Sequence, residues 1–167
     1  MRLTPLAIAL LTASLAACGG TNTGAPTDPA SKDAGMTSVD AALQTAFADL
    51  SKRWLDGWLR LNPVNATQQG DHRFDAEIDD LSAAGRARYV DFSRKMLAEL
   101  DAIDATRLSR ENQIDAAILR NQIQSDIWGV DTLQAWAWDP QVYSGLAGSA
   151  IYNLMAREFA PLPERLK

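Results

Sequence analysis

Apolar residues recur at helical spacing between residues 43 and 61. The stripe comprises Leu43, Phe47, Leu50, Trp54, Trp58 and Leu61. Intervals of three and four residues place these side chains on one face of an α-helix, and most of the charged residues fall on the other side. Thr37 is a suitable N-terminal cap for this helix. Asn62-Pro63 predicts its end, because the residue before a proline disfavours the α conformation.

Three further helices are predicted after it. The first begins at Ser82, runs to about Ile103 and carries Tyr89, Phe92, Met96, Leu100 and Ile103 on one face. The second begins at Ser109, runs to about Thr132 and carries Ile114, Ile118, Leu119, Ile123, Ile127 and Val130. The third contains Leu146, Ala150, Ile151, Leu154 and Met155 and closes near Glu158. Short polar connections favour antiparallel neighbours, so the pattern predicts an all-α, bundle-like domain over residues 38–167.

Two segments break the helical pattern. Residues 62–81 are polar, contain proline and glycine, and are predicted to form a long loop. Residues 134–140 are predicted to form a second loop. If that segment is extended, Trp136 and Trp138 point to the same side and could stack on a sugar or a peptide. The alternative is that both tryptophans close the end of the bundle.

The amino terminus has the pattern of an export signal. Residues 1–17 have a basic start and an apolar run too short to span a bilayer. Leu15-Ala16-Ala17-Cys18 resembles a bacterial lipobox, which predicts lipidation of Cys18; an ordinary secretory signal with a chance cysteine is the alternative. Residues 18–37 are predicted to be a flexible tether. Gly19 favours an outer-membrane destination, so we expect a lipid-anchored cell-envelope protein that faces the periplasm.

Composition and motifs exclude several classes of function. The formal net charge is −5 and no basic patch is present, which argues against a nucleic-acid partner. The sequence has one histidine, His72, and no HExxH motif, so we expect no catalytic residue, metal site or other cofactor in this chain. His72 is either a loop residue with local hydrogen bonds or a ligand-facing base.

Several short motifs resemble, in order, the amino-terminal part of the bacterial family called domain of unknown function 885. They are Asn62-Pro63, Ala66-Thr67, Gly70-Asp71-His72, Phe74-Asp75, Asp80 and Ser82, Leu108-Ser109, Asp115, Trp138-x-Pro140-x-x-Tyr143, Phe159-Ala160-Pro161 and Arg165. Members of that family are often exported lipoproteins and resemble helical zincin-type metallopeptidases whose HExxH helix lies far downstream.

The resemblance implies an architecture rather than a set of catalytic residues. Zinc and a peptide substrate are expected only in the full-length family, and this chain ends after Leu162-Pro163-Glu164, where a new helix is predicted to begin. We therefore expect an amino-terminal, apparently truncated segment that is inactive alone. By analogy, His72, Trp136, Trp138 and Tyr143 face a substrate channel. The alternative is a complete small envelope lipoprotein that serves as a binding or scaffold module.

Overall fold

The computed structural model describes residues 40–166, and no strand occurs within that range. Its helices are α1 (Ala41–Leu61), α2 (Pro63–Gln69), α3 (Ala83–Asp101), α4 (Arg110–Trp128), α5 (Ala135–Trp138), α6 (Gln141–Ala156) and α7 (Leu162–Arg165). Two 3-10 turns, at His72–Phe74 and Ala105–Arg107, and one π-helical turn at Gly129–Leu133 complete it. The all-α prediction is confirmed. The predicted signal peptide, Cys18, the tether and the Thr37 cap lie outside the described residues.

Each of the three helices α1, α3 and α4 begins at a side-chain cap. Ser82 and Ser109 accept backbone N–H groups of α3 and α4 at 3.1 and 3.3 Å, as the sequence predicts. Asp40, rather than Thr37, directly precedes α1, and its carboxylate accepts the N–H groups of Ala42 and Leu43 at 3.0 and 3.2 Å. The negative charge of an aspartate at this position also interacts favourably with the positive, N-terminal end of the helix dipole.

Ion pairs between the three long helices show how they run. Arg53 of α1 pairs with Glu99 near the end of α3 at 2.5 Å, while Gly57, further along α1, lies against Phe92. As the residue number increases along α1, the number of the α3 residue that it contacts decreases, so these helices are antiparallel. The pairs Asp101–Arg120, at 2.6 Å, and Arg94–Asp131, at 2.7 Å, give the same result for α3 and α4. The three helices therefore form an up-down-up unit.

The core of this unit is formed by the predicted apolar stripes. Its buried members are Phe47, Leu50, Met96, Leu100, Leu108, Ala116, Leu119 and Ile123. Leu50, Leu100 and Ile123 are at most 2% exposed. Burying one such side chain stabilises the folded state by about 1.5–3 kcal/mol, so this cluster supplies most of the unit's packing energy. Trp54 and Trp58 stack on each other, with ring centroids 6.0 Å apart, and both pack against core residues.

Part of the predicted apolar face of α4 is not covered. Ile114 is 46% exposed and Ile118 is 63% exposed, although the sequence places both on the buried stripe. Among residues 40–166, the long helices that flank α4 are α1 and α3, and two neighbours shield one side of a helix. Ile118 and Leu55 consequently line an open groove of about 560 Å³ between α1 and α4, which we call the α1–α4 groove.

The segment after α1 is more helical than its composition predicts. The prediction of a loop over residues 62–81 was partly wrong, because α2 and a 3-10 turn occupy its first half. Pro63 stands at the first position of α2, where its missing N–H costs nothing. Gly70 ends α2 with φ of 90°, a left-handed conformation that glycine adopts without strain. Helix α2 and the 3-10 turn therefore hold the residues from Asp71 to Asp75 in a defined position.

The last long helix packs away from the three-helix unit. α6 runs from Gln141 to Ala156, ending slightly before the predicted close near Glu158, and packs against α2, α5 and α7. The buried amide of Asn153 donates to the carbonyl of Val64 at 3.4 Å and connects α6 to α2. The molecule is thus a three-helix unit with a second layer, rather than four equal helices. None of the helices within residues 40–166 is long and apolar enough to cross a membrane.

Candidate functional site

The turn after α2 brings a threonine, an aspartate and the histidine into one hydrogen-bonded chain. The Thr67 hydroxyl lies 2.6 Å from one carboxylate oxygen of Asp75, and Nδ1 of His72 lies 3.0 Å from the other. Thr67 is buried at 4% exposure, whereas the His72 side chain keeps 34% of its surface open. We call these three residues the His72 triad. It joins a fixed, buried hydroxyl to an accessible imidazole.

The flanks of the turn are fixed by charged side chains. Asp71 accepts the backbone N–H of Arg73 at 3.2 Å and also binds its guanidinium, with Nη2 at 2.6 Å. These hydrogen bonds from Arg73 hold the pKa of the Asp71 carboxyl below its usual value. The same guanidinium reaches Asp56 of α1 at 3.1 Å, and its hydrogen bonds to Asp71 and, to a lesser extent, to Asp56 raise the pKa of Arg73. The turn is therefore tied to α1 as well as to α2.

The end of α6 supplies the wall against which His72 rests. The rings of His72 and Phe159 are stacked, with centroids 3.6 Å apart and planes inclined by 20°. The guanidinium of Arg165 lies on the same phenyl ring, at 5.6 Å from its centroid. Nη1 of Arg165 donates to the last carbonyls of α6, those of Leu154 at 2.8 Å and Met155 at 3.1 Å. A cation is favoured at this negative end of the helix.

A cleft opens beside the His72 triad. It has a volume of about 400 Å³ and is lined by Asp75, Ala76, Glu77, Ile78, Leu154, Glu164, Arg165 and Leu166. We call it the C-terminal cleft. Asp75 belongs both to its wall and to the triad. The cleft combines apolar side chains with carboxylates, a surface suited to a peptide more than to an anion.

The two tryptophans of the second predicted region do not form a joint platform. Residues 134–140 were predicted to be a loop, but Ala135–Trp138 form the short helix α5. Residues two apart on a helix point to different sides, so Trp136 and Trp138 diverge. The indole N–H groups of Trp136 and Trp138 donate to the carbonyls of Val130 and Leu133, at 3.2 and 2.9 Å. Stacking of both indole rings on one ligand requires an extended segment, and this segment is helical.

Each aromatic residue of that region has its own surroundings. The guanidinium of Arg86 covers the ring of Trp136 at 3.5 Å, so one face of this indole is occupied. Trp138 is 63% exposed. The hydroxyl of Tyr143 donates to the carbonyl of Trp136 at 2.8 Å, which ties the start of α6 to α5. Gln134 precedes α5 with φ of 52°, an uncommon conformation for a residue other than glycine.

The structure does not bring the two predicted regions together. Tyr143 lies in the first turn of α6, whereas Phe159, which stacks on His72, follows its last turn. The sixteen residues of α6 span about 24 Å at 1.5 Å per residue. His72 and the pair Trp136 and Trp138 are therefore separate surfaces. Cys18 lies outside the described residues.

A partly buried polar cluster between α1, α3 and α4 was not predicted. Burial raises the pKa of the Asp126 carboxyl, and Gln122 donates to it at 2.9 Å. Burial and the neighbouring Asp126 also raise the pKa of Tyr89. The indole N–H of Trp58 is buried in the same cluster, beside Tyr89. The sequence signal for this cluster is weak, because Asp126 looks like any polar position on an amphipathic helix.

Within residues 40–166, no group of three or more His, Cys, Asp or Glu side chains is arranged to hold a metal ion.

Comparison with known proteins gives a family and one structural relative. A family model described as a bacterial protein of unknown function, DUF885, matches residues 63–167. A solved structure described as "a putative lipoprotein of unknown function from Shewanella oneidensis" is 29% identical, with a TM-score of 0.66 over 72% of this chain. The match covers 22% of that chain, so this protein spans about a fifth of its relative's length. None of the curated proteins matches. Since the family model covers more than half of the sequence, the chain belongs to the DUF885 family of bacterial proteins.

Proposed function

We propose that this chain forms the amino-terminal helical wall of a larger envelope hydrolase of the metallopeptidase type, and that it supplies no zinc ligand itself. The surface of α6 carries the proposal. Residues Gln141–Ala156 include no charged side chain, yet Ile151, Tyr152 and Met155 are 59%, 68% and 55% exposed. A helix that is apolar all round normally lies inside a larger protein. Further polypeptide of the same chain is the occupant that we assign to this face.

The size of the structural relative supports this assignment. The matched region is about a fifth of that chain, which leaves ample sequence to cover α6 and α7. The family resemblance adds the chemical class, because such proteins resemble zincin-type metallopeptidases with a downstream HExxH motif. On this proposal the His72 triad and the C-terminal cleft form part of the wall of a substrate channel.

The genomic reading frame tests the proposal directly. We expect it to continue past codon 167 into helical sequence with an HExxH motif. We also expect zinc in the product of that longer frame and no stoichiometric zinc in the 167-residue chain. A stop codon at position 168, or tight zinc binding by the 167-residue chain alone, would contradict the proposal.

A second test uses the apolar face. Replacing Ile151 and Met155 with glutamine should reduce self-association of the 167-residue chain, measured by light scattering, because the substitutions remove exposed apolar area. The matched control replaces Leu55 and Ile118, whose side chains line the α1–α4 groove and are 48% and 63% exposed. If only the control pair abolishes self-association, the α1–α4 groove is the uncovered interface and the assignment of α6 is wrong.

The location in the cell is part of the same proposal. We infer a cell-envelope protein anchored by lipid on Cys18, in the outer membrane and facing the periplasm; the lipoprotein description of the structural relative supports this. Radiolabelled palmitate should label the expressed chain and should fail to label the Cys18→Ser variant. Equal labelling of both would overturn the anchor.

The second candidate is a binding or scaffold module. The α1–α4 groove favours it, since Phe47, Trp54, Leu55, Ile118 and Leu119 offer an apolar surface that a partner helix could cover. This alternative predicts a cooperative, monomeric 167-residue protein and a reading frame without an HExxH motif.

A further inference from the structure

The Asp75 carboxylate fixes the tautomer of the His72 imidazole. A carboxylate offers only acceptor sites, so both of its neighbours must donate. The Thr67 hydroxyl donates to Oδ1 at 2.6 Å, and Nδ1 of His72 therefore carries a hydrogen that it donates to Oδ2 at 3.0 Å. A neutral imidazole has one N–H only. Its second nitrogen, Nε2, is consequently left with a lone pair.

The position of the ring is fixed as well as its tautomer. Phe159 covers one face at 3.6 Å, and Arg165 contacts the Phe159 ring at 5.6 Å from its centroid while it donates hydrogen bonds to the end of α6. Thr67 is buried and cannot move with the loop. A side chain that is ordered before binding loses less conformational freedom when a ligand arrives.

Nε2 is the part of the ring that the protein leaves unused. Among residues 40–166 it has no hydrogen-bond partner, and the side chain keeps 34% of its surface open. A carboxylate on one ring nitrogen and an open lone pair on the other is the arrangement by which proteins orient a histidine toward a ligand.

We propose that His72 is a ligand-binding residue whose Nε2 accepts a hydrogen bond from an N–H group of a peptide. A metal ion is the other partner for such a lone pair, but zinc takes three or four protein ligands, and no group of that size occurs within residues 40–166. The C-terminal cleft shares Asp75 with the His72 triad, and its residues Ile78, Leu154 and Leu166 offer the apolar contact that a peptide side chain needs. The peptide assignment rests on the proposed hydrolase function, whereas the tautomer does not.

Nuclear magnetic resonance tests the tautomer without interference, because His72 is the sole histidine of the sequence. Long-range proton–nitrogen spectra of the neutral imidazole should show hydrogen on Nδ1 and a bare Nε2. The Asp75→Ala variant should lose this preference, and Thr67→Val, which removes only the hydroxyl, should weaken it. Hydrogen on Nε2 in the unsubstituted protein overturns the proposal, whatever the variants do.

Tetra-alanine tests the ligand. We expect a saturable shift of the Nε2 resonance with tetra-alanine and none with its fully N-methylated analogue, which has the same length and no amide N–H. No saturable response to tetra-alanine, or equal responses to both, overturns the peptide assignment. A stoichiometric Nε2 response to zinc alone would replace the peptide with a metal. N–H-specific binding by a protein whose full reading frame lacks HExxH would end the hydrolase proposal and leave this one standing.

Discussion

Gly57 of α1 lies directly against the ring of Phe92 of α3. A β-carbon built on Gly57 would stand 2.3 Å from Cε2 of Phe92 and 2.4 Å from its Cζ, far inside van der Waals contact. The absence of a side chain at residue 57 therefore leaves the space that the Phe92 ring occupies against α1. Phe92 in turn packs against the main core, so this contact couples α1 to core packing.

The Gly57→Ala variant should consequently be less stable than the unsubstituted protein. Alanine favours the helix over glycine by about 1 kcal/mol, but forcing a methyl group into a packed interface costs about 1–3 kcal/mol. We expect the clash to win and the free energy of unfolding in urea to fall by about 1 kcal/mol.

Gly145→Ala is the matched control, since a β-carbon at residue 145 of α6 meets nothing within 4 Å. It should stabilise by up to about 1 kcal/mol through helix propensity alone. If both substitutions change stability by the same amount and sign, the close approach at Phe92 has no energetic weight.

Truncating a buried side chain of a long helix should cost more stability than truncating an exposed one. Leu50 is 2% exposed, so Leu50→Ala removes buried methyl groups and leaves a cavity, which should cost about 2–5 kcal/mol. Ile118→Ala alters a side chain that is 63% exposed and should change stability by less than about 0.5 kcal/mol. Equal losses in urea unfolding would mean that the α1–α4 groove is closed in solution.

The sequence predicts the long helices well because local chemistry determines them. Ser82 and Ser109 cap α3 and α4 as expected, and the stripe through Phe47 and Leu50 is buried. The spacing of apolar residues does not show how much of an apolar helix face is covered by a neighbouring helix. Ile118 has the spacing of a core residue and remains exposed, because the described residues place no helix over it.

The candidate site was less predictable, for a different reason. Pro63 and Gly70 are ordinary start and stop signals of a short helix, but the segment between them was predicted to be a loop. The contact between His72 and Phe159 has no local signal, since it depends on how α6 packs against α2. The separation of His72 from Trp136 follows from the same packing and could not be obtained from spacing.

Asp126 should make the stability depend on pH. Burial raises its pKa in the folded state above the usual 3.8, so the folded protein holds this proton more tightly than the unfolded chain. The ionised carboxylate thus destabilises the fold at neutral pH, and the penalty disappears as the pH falls below about 4. Gln122 and Tyr89 are the groups that the structure places around it.

The Asp126→Asn variant should therefore melt at a higher temperature than the unsubstituted protein at pH 7, and the difference should shrink toward zero as the pH approaches 4. Asp115→Asn, an exposed position on the same helix, is the control. A constant difference at every pH would show that the charge of Asp126 is not its cause.

Asp40 combines a helix cap with an ion pair, and two substitutions can separate these roles. Its carboxylate accepts two N–H groups of α1 and also pairs with Arg107, whose side chain is 51% exposed. Losing the cap costs about 1 kcal/mol, whereas an exposed ion pair contributes about 0–1 kcal/mol.

Asp40→Ala should therefore lower the free energy of unfolding by about 1 kcal/mol or more. Asp40→Asn, which keeps a capping oxygen and loses the charge, should lower it by less than about half of that. Urea unfolding at low and high salt distinguishes the two terms, because the ion pair and the charge–dipole interaction weaken in salt whereas the capping hydrogen bonds do not. Equal losses for both variants that vanish in high salt would assign the whole effect to the charge of Asp40 and none to its capping hydrogen bonds.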